Sequence, residues 1–180
     1  MMIRTHFQVE KAVAALAYLF QNSQADLYAA MKMMYLADRS HLERFGRFIA
    51  GDAYVAMKNG PAPDGAYRML KAVRGDEPDA IGADEARAVF ASTGNNTFKV
   101  AAAPDYDDLS RSDIECLDGA IATFKAGGWA RVRDESHDAA WDAAWKDRAT
   151  QADYMPIEVI AGQFGDDLVS HVRDPFPGEA

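Results

Sequence analysis

Four histidines, at positions 6, 41, 137 and 171, and a single cysteine, Cys116, are the side chains with which this chain could begin metal or nucleophilic chemistry. No histidine stands at a zinc-ligand spacing from Cys116 or from another histidine, so no metal is expected. His41 follows Asp38 by three residues within one helical stretch, a spacing at which a carboxylate fixes an imidazole tautomer and raises its pKa. A local hydrogen bond that stiffens the helix is the simpler reading of the same pair. His137, between Ser136 and Asp138, reads as part of a helix start, where acids suit the helix dipole.

A nucleophile would need a serine or cysteine with a base and an acid, and no nucleophile-elbow glycine pattern is present. Cys116 has Ile114, Leu117 and Ile121 for neighbours, the setting of a packed thiol. Gly127-Gly128 lacks the lysine of a phosphate-binding loop, and Gly60-Pro61 reads as a turn. No catalytic residue and no cofactor are therefore expected.

Charge limits the partners. Twenty-eight acids against 19 bases give a net charge of −9, which repels nucleic acid unless bases concentrate on one face. Arg39, Arg44, Arg47 and Lys58 come nearest to such a patch, but Asp38, Glu43 and Asp52 are interleaved with them. Direct nucleic-acid binding is not expected, and a basic protein partner is favoured. Asp105-Tyr106-Asp107-Asp108 has the least core-like character; it reads as a solvated loop preceding a helix, or as a surface for a basic partner.

The elements that must position these residues follow from periodicity. Val9, Ala12, Val13, Leu16, Leu19 and Phe20 recur at helical spacing and predict a helix over 7–21, rather than the core of a secretion signal. No stretch approaches the roughly 20 apolar residues of a membrane span. From Leu27 to Ala37 the chain is apolar nearly all round, which predicts a buried central helix running on to a left-handed stop at Gly46. Its Met31, Met33 and Met34 read as core.

Ala53–Lys58 alternates and predicts a strand, closed by Asn59-Gly60-Pro61. Asp64 is placed to cap a helix over 65–73. Residues 80–94 are poorly determined, with a possible helix at 85–91 and a turn at Thr93–Asn96. Thr97–Ala101 alternates again and is the natural partner strand for 53–58.

Ser110-Arg111-Ser112-Asp113 predicts a capped helix with Ile114, Leu117, Ile121 and Phe124 inward, ended by Gly127-Gly128. Ser136 is expected to cap the next helix, whose Trp141 and Trp145 read as core. Pro156 opens a last helical stretch carrying Ile157, Ile160, Phe164, Leu168 and Val172. The expected architecture is α+β, mainly α. It is one compact helical domain over residues 1–173 with a small antiparallel sheet of two or three strands, then an extended tail at 174–180. At 180 residues and 49% hydrophobic, such a chain buries roughly 70% of its unfolded surface without disulfides.

Four segments together resemble a known family. Met34–Gly46, MYLADRSHLERFG, and Phe48–Tyr67, FIAGDAYVAMKNGPAPDGAY, are similar in order to the helix and strand motifs of the Panacea domain, the SocA-like antitoxin or phage-associated family. Leu109–Asp118 and Ser136–Trp141 match its later motifs, so the resemblance spans roughly residues 10–165. Phe48, Ala50 and Ala62 depart from the family's usual proline, threonine and valine.

The resemblance implies a cytoplasmic antitoxin that neutralises a cognate toxin, encoded beside it, by direct binding. A cellular protease is a subsidiary partner if the domain also acts as a proteolytic adaptor. The alternative is a phage- or prophage-derived interaction domain whose protein partner is not a toxin. Asp38, Arg39, His41, Asp52 and Tyr54 are the polar groups of the motif not required for apolar packing. They are expected to be exposed and to form the partner-binding set, so that alanine at Asp52 and Tyr54 should weaken binding while leaving stability nearly unchanged.

Overall fold

The structure, a computed structural model, describes residues 6–150 and 152–174. The chain is mainly α, with eight α-helices and two small antiparallel sheets among the described residues. At its centre is α2 (Leu27–Phe45), which is buried around most of its circumference from Leu27 to Asp38. Asp26 caps its start through Ala29 N, and Gly46 ends it in the left-handed conformation, φ 75°. The apolar run therefore does what its composition predicts, because a helix without a polar face must be enclosed.

Two long helices enclose it. The N-terminal α1 (Val9–Ser23) buries Ala12, Val13, Leu16, Leu19 and Phe20, and α5 (Arg111–Ser136) lies along the length of α2. The reciprocal bonds between Ser110 and Asp113 form a capping box at the start of α5. Gly128, at φ 63° and ψ −154°, is non-helical and ends the first arm of α5 where Gly127-Gly128 predicted a stop, and a second arm that resumes at once carries Val132 into the core.

The predicted strand forms β1 (Tyr54–Met57), but its neighbours differ from expectation. β1 pairs antiparallel with β2 (Gly60–Pro63) on one side and with β5 (Asp153–Met155) on the other. The segment 97–101 does not join it. Thr97–Val100 is β4, paired with β3 (Phe90–Gly94) in a separate hairpin about the turn at Asn95-Asn96. The short hairpin wins because loop closure over two residues costs far less entropy than closure over some forty. Pro61 and Pro63 are tolerated in β2 because it is an edge strand.

After β2 come α3 (Asp64–Arg74) and α4 (Ala83–Val89), the latter resolving the ambiguous stretch at 80–94. Beyond α5, α6 (Ala139–Lys146) is capped by Asp138, which accepts from Trp141 N; the expected cap, Ser136, instead donates to the Arg133 carbonyl. Trp141 and Trp145 are half-buried rather than core. They stack with planes 10° apart, His137 lies parallel on Trp141 at 3.9 Å, and the indole of Trp141 donates to the Met57 carbonyl. The last helical stretch divides at Gly165 into α7 (Ile157–Ala161), with a 3-10 turn, and α8 (Asp166–Arg173). The tail expected at 174–180 lies, beyond Asp174, outside the described residues.

Candidate functional site

The five polar residues singled out from the motif are not an exposed set. Asp38, His41, Asp52 and Tyr54 are buried, and Arg39 is one-quarter exposed. Their chemistry is spent inside the protein. Asp38 Oδ1 accepts from Ile49 N and Oδ2 from the Tyr54 hydroxyl, each at 2.6 Å. One carboxylate thus ties α2 to the loop that follows Gly46 and to β1. Tyr54 is held edge-on between Tyr35 and Phe48, with ring centres 5.1 and 5.4 Å away.

Asp52 is a remote helix cap. Its Oδ1 accepts from Ala53 N and Gly65 N, and its Oδ2 from Ala66 N, all within 2.9 Å. It occupies the role expected of Asp64, which is instead the first residue of α3. The free N–H groups at a helix start accept any well-placed oxygen, and the fold delivers this one from twelve residues upstream.

His41 does not pair with Asp38. Its Nδ1 faces the Arg47 carbonyl oxygen at 2.9 Å and so carries a proton. Its Nε2 lies 3.0 Å from Ser112 Oγ and 3.1 Å from Asp113 Oδ1. The acid beside this imidazole is therefore Asp113 of α5, which sequence reading used only as a capping residue. Lys11 Nζ reaches Asp113 Oδ2 at 2.8 Å and Arg47 reaches Oδ1 at 3.2 Å, while Ser110 N completes the shell. Burial would raise this carboxyl, but donors from His41, Lys11 and Ser110 outweigh it and hold it well below the usual range. A histidine gripped on both nitrogens beside a fully ionised acid has no face open to a substrate.

Arg39 serves a second hub. Its guanidinium donates to Asp138 Oδ2 at 2.8 Å and to the Glu135 carbonyl; Tyr35 OH donates to the same Oδ2 at 2.7 Å, and Gln163 adds a longer bond. Asp138 thereby joins α2 to the start of α6 and to the turn after α7. Cys116 is buried, with Ser40 and Arg44 within sulfur hydrogen-bond range, and burial raises its thiol. Tyr106, in the acidic 105–108 segment, donates to Gln21, while Asp105 accepts from Asp107 N to cap a short 3-10 turn.

Sequence reading gave no signal for the surface after α6. A groove of about 220 Å³ runs between the end of α6, β5 and α7, with Ala143, Ala144, Tyr154, Pro156 and Val159 along it. Tyr154 is 57% exposed and Val159 40%. Asp147 and Asp153 stand at its rim, and neither has an ion-pair partner among the described residues. The helix opening at Pro156 was expected, but a three-residue edge strand is too short to announce itself by periodicity.

The family described as antitoxin SocA-like, Panacea domain, matches residues 31–142. The chain belongs to this family. Its Panacea domain match begins inside α2 and ends inside α6, so it contains Asp113 and Asp138, the carboxylates of both hubs, and stops one residue before the groove. No curated protein and no solved structure matches the chain. Family membership carries an antitoxin-like role in general terms. No helix of the described residues is long and apolar enough to cross a membrane.

The buried acids make a pH prediction. Burial raises Asp38 from 3.8 to about 6 and Asp52 from 3.8 to about 7, against the hydrogen bonds that favour their charged forms. A carboxyl whose folded pKa exceeds its unfolded one binds more protons when folded, so stability falls as pH rises between the two values. Unfolding free energy should decline from near pH 4 to near pH 7, by at most about 1.4 kcal/mol per unit for each group. Asp113 has the opposite sign and removes stability only below the ordinary carboxylate range. Urea melts at half-unit steps would show this slope; a flat profile over the interval would contradict it.

Proposed function

We propose that this Panacea protein neutralises a toxin encoded beside it by direct binding, without catalysis, and that the groove between α6, β5 and α7 is where the toxin docks. The observation that carries the reading is the groove itself: exposed Tyr154 and Val159, flanked by the carboxylates of Asp147 and Asp153, which have no ion-pair partner among the described residues. The occupant this chemistry fits is a basic toxin segment in which an arginine or lysine adjoins an apolar residue. A net charge of −9 favours encounter with such a partner.

Two further facts support it. The groove lies wholly outside the residues matched by the shared domain, as suits a surface specific to one partner. The motif's own polar groups are engaged in internal bonds, which leaves little for turnover chemistry. Complete coverage of a toxin would bury roughly 1,200 to 2,000 Å² in total, so the groove is an anchor within a larger contact.

Co-expression with the neighbouring gene product supplies the test. Wild-type protein should restore growth, and Tyr154→Asp with Val159→Asp should abolish rescue while changing stability by less than about 0.5 kcal/mol, as expected for exposed positions. Full rescue by the double variant would remove the groove from the interface. Toxicity that persists beside the wild-type protein would remove the antitoxin reading itself.

A further inference from the structure

The start of α2, the β1–β2 turn and α3 enclose a separate cavity of about 90 Å³. Met31, Met57 and Tyr67 form its apolar wall, and Lys32, Lys58 and Asn59 supply its polar groups. No carboxylate among the described residues lines it, although the chain carries a net charge of −9. Two lysines lining one small, mainly apolar cavity, in so acidic a protein, make a local reversal of sign.

Lys32 is only 4% exposed, within the buried apolar stretch of α2 that runs to Ala37. Its Nζ donates to the Pro61 carbonyl oxygen at 2.6 Å, and no second acceptor is found for it among the described residues. An ammonium has three donors, and a buried one must shed its proton or meet an anion. Burial lowers Lys32 to about 7, so charged and neutral forms coexist near neutrality. Neither the carbonyl of Pro61 nor the surrounding methionines can neutralise it. Lys58, on the β1–β2 turn, is exposed and makes no ion pair among the described residues. The cavity is thus lined by a buried lysine with one acceptor among the described residues, a second lysine and an asparagine, beside a mainly apolar wall.

We propose that this cavity is a carboxylate-binding site, with Lys32 as the charged anchor, Lys58 and Asn59 as the outer donors, and Met31, Met57 and Tyr67 enclosing a short alkyl stem. The carboxylate has two sources, a free short-chain acid or the side chain or C-terminus of a bound protein. Both present the same headgroup on a short stem.

Sodium butyrate is the probe, titrated into the full chain against sodium chloride at equal ionic strength and against n-butanol. Lysine labelled with carbon-13 at Cε reports Lys32 directly, and the thermal midpoint reports linkage. Butyrate should shift the Lys32 resonance saturably and raise the midpoint, whereas chloride and butanol should not. Lys32→Met, which keeps the apolar stem and removes the charge, should abolish the midpoint shift. Should that variant fail to fold, Lys58→Ala should still weaken butyrate at least threefold. A response that does not saturate, that chloride reproduces, or that survives in both variants would overturn the site.

The titration needs no toxin, so its result is independent of neutralisation. Where a toxin complex does form, release of toxin by butyrate would assign the carboxylate to the partner. Retention of toxin with butyrate bound would assign it to a free acid.

Discussion

Replacing Asp113 with alanine is expected to cost about 3 to 5 kcal/mol of stability, the range for removing one partner of a buried charged cluster. In a chain of this length that lowers the thermal midpoint on the order of 10 °C. The carboxylate is wholly buried and answers Lys11, His41 and Arg47 at once, besides the backbone of Ser110. Its loss strands an almost buried lysine and a fully buried imidazole, and it detaches α1 and the loop after α2 from α5. Asp113→Asn separates the contributions. It keeps an acceptor for Ser110 N but no charge for Lys11, so it should fall between wild type and alanine. Chemical denaturation measures both, and an alanine variant within about 0.5 kcal/mol of wild type would mean that the hub carries no net stability.

The second large effect is expected at Asp52. Alanine there leaves three backbone N–H groups without their acceptor, two of them in the first turn of α3. Unsatisfied buried donors cost about 1 to 3 kcal/mol each, partly recovered where water can enter, so a net loss of about 3 kcal/mol is the reasonable figure. Tyr54→Phe should add a smaller loss by stripping Asp38 of a 2.6 Å donor. This reverses the expectation drawn from the motif, in which Asp52 and Tyr54 were surface groups whose removal would spare stability. If the double alanine variant melts with the wild type and only partner binding falls, the motif reading would stand and the buried-cap account would fail.

Why those residues misled is instructive. A polar residue within an apolar motif is either an outward contact or an inward tie, and one sequence presents both identically. Asp38 and Asp52 are inward because backbone donors at Ile49 and at Gly65 and Ala66 wait for them. Those donors exist only after the chain has turned at Gly46 and Gly51 and again through β2. The same holds for His41, whose expected partner stood three residues away and whose actual acid, Asp113, stands on another helix. Arg39 finds its carboxylate 99 residues onward, at Asp138.

What the sequence determined by itself was local. The buried course of α2, its stop at Gly46 and the capping box at Ser110 were legible because periodicity and capping act between residues at most a turn apart, and the family was legible from the order of its motif segments. Only the tertiary structure decided the pairing of β5 with β1, the two carboxylate hubs and the lysine cavity. Each of these depends on which distant segments meet, and that follows from the packing of the whole core rather than from any spacing along the chain.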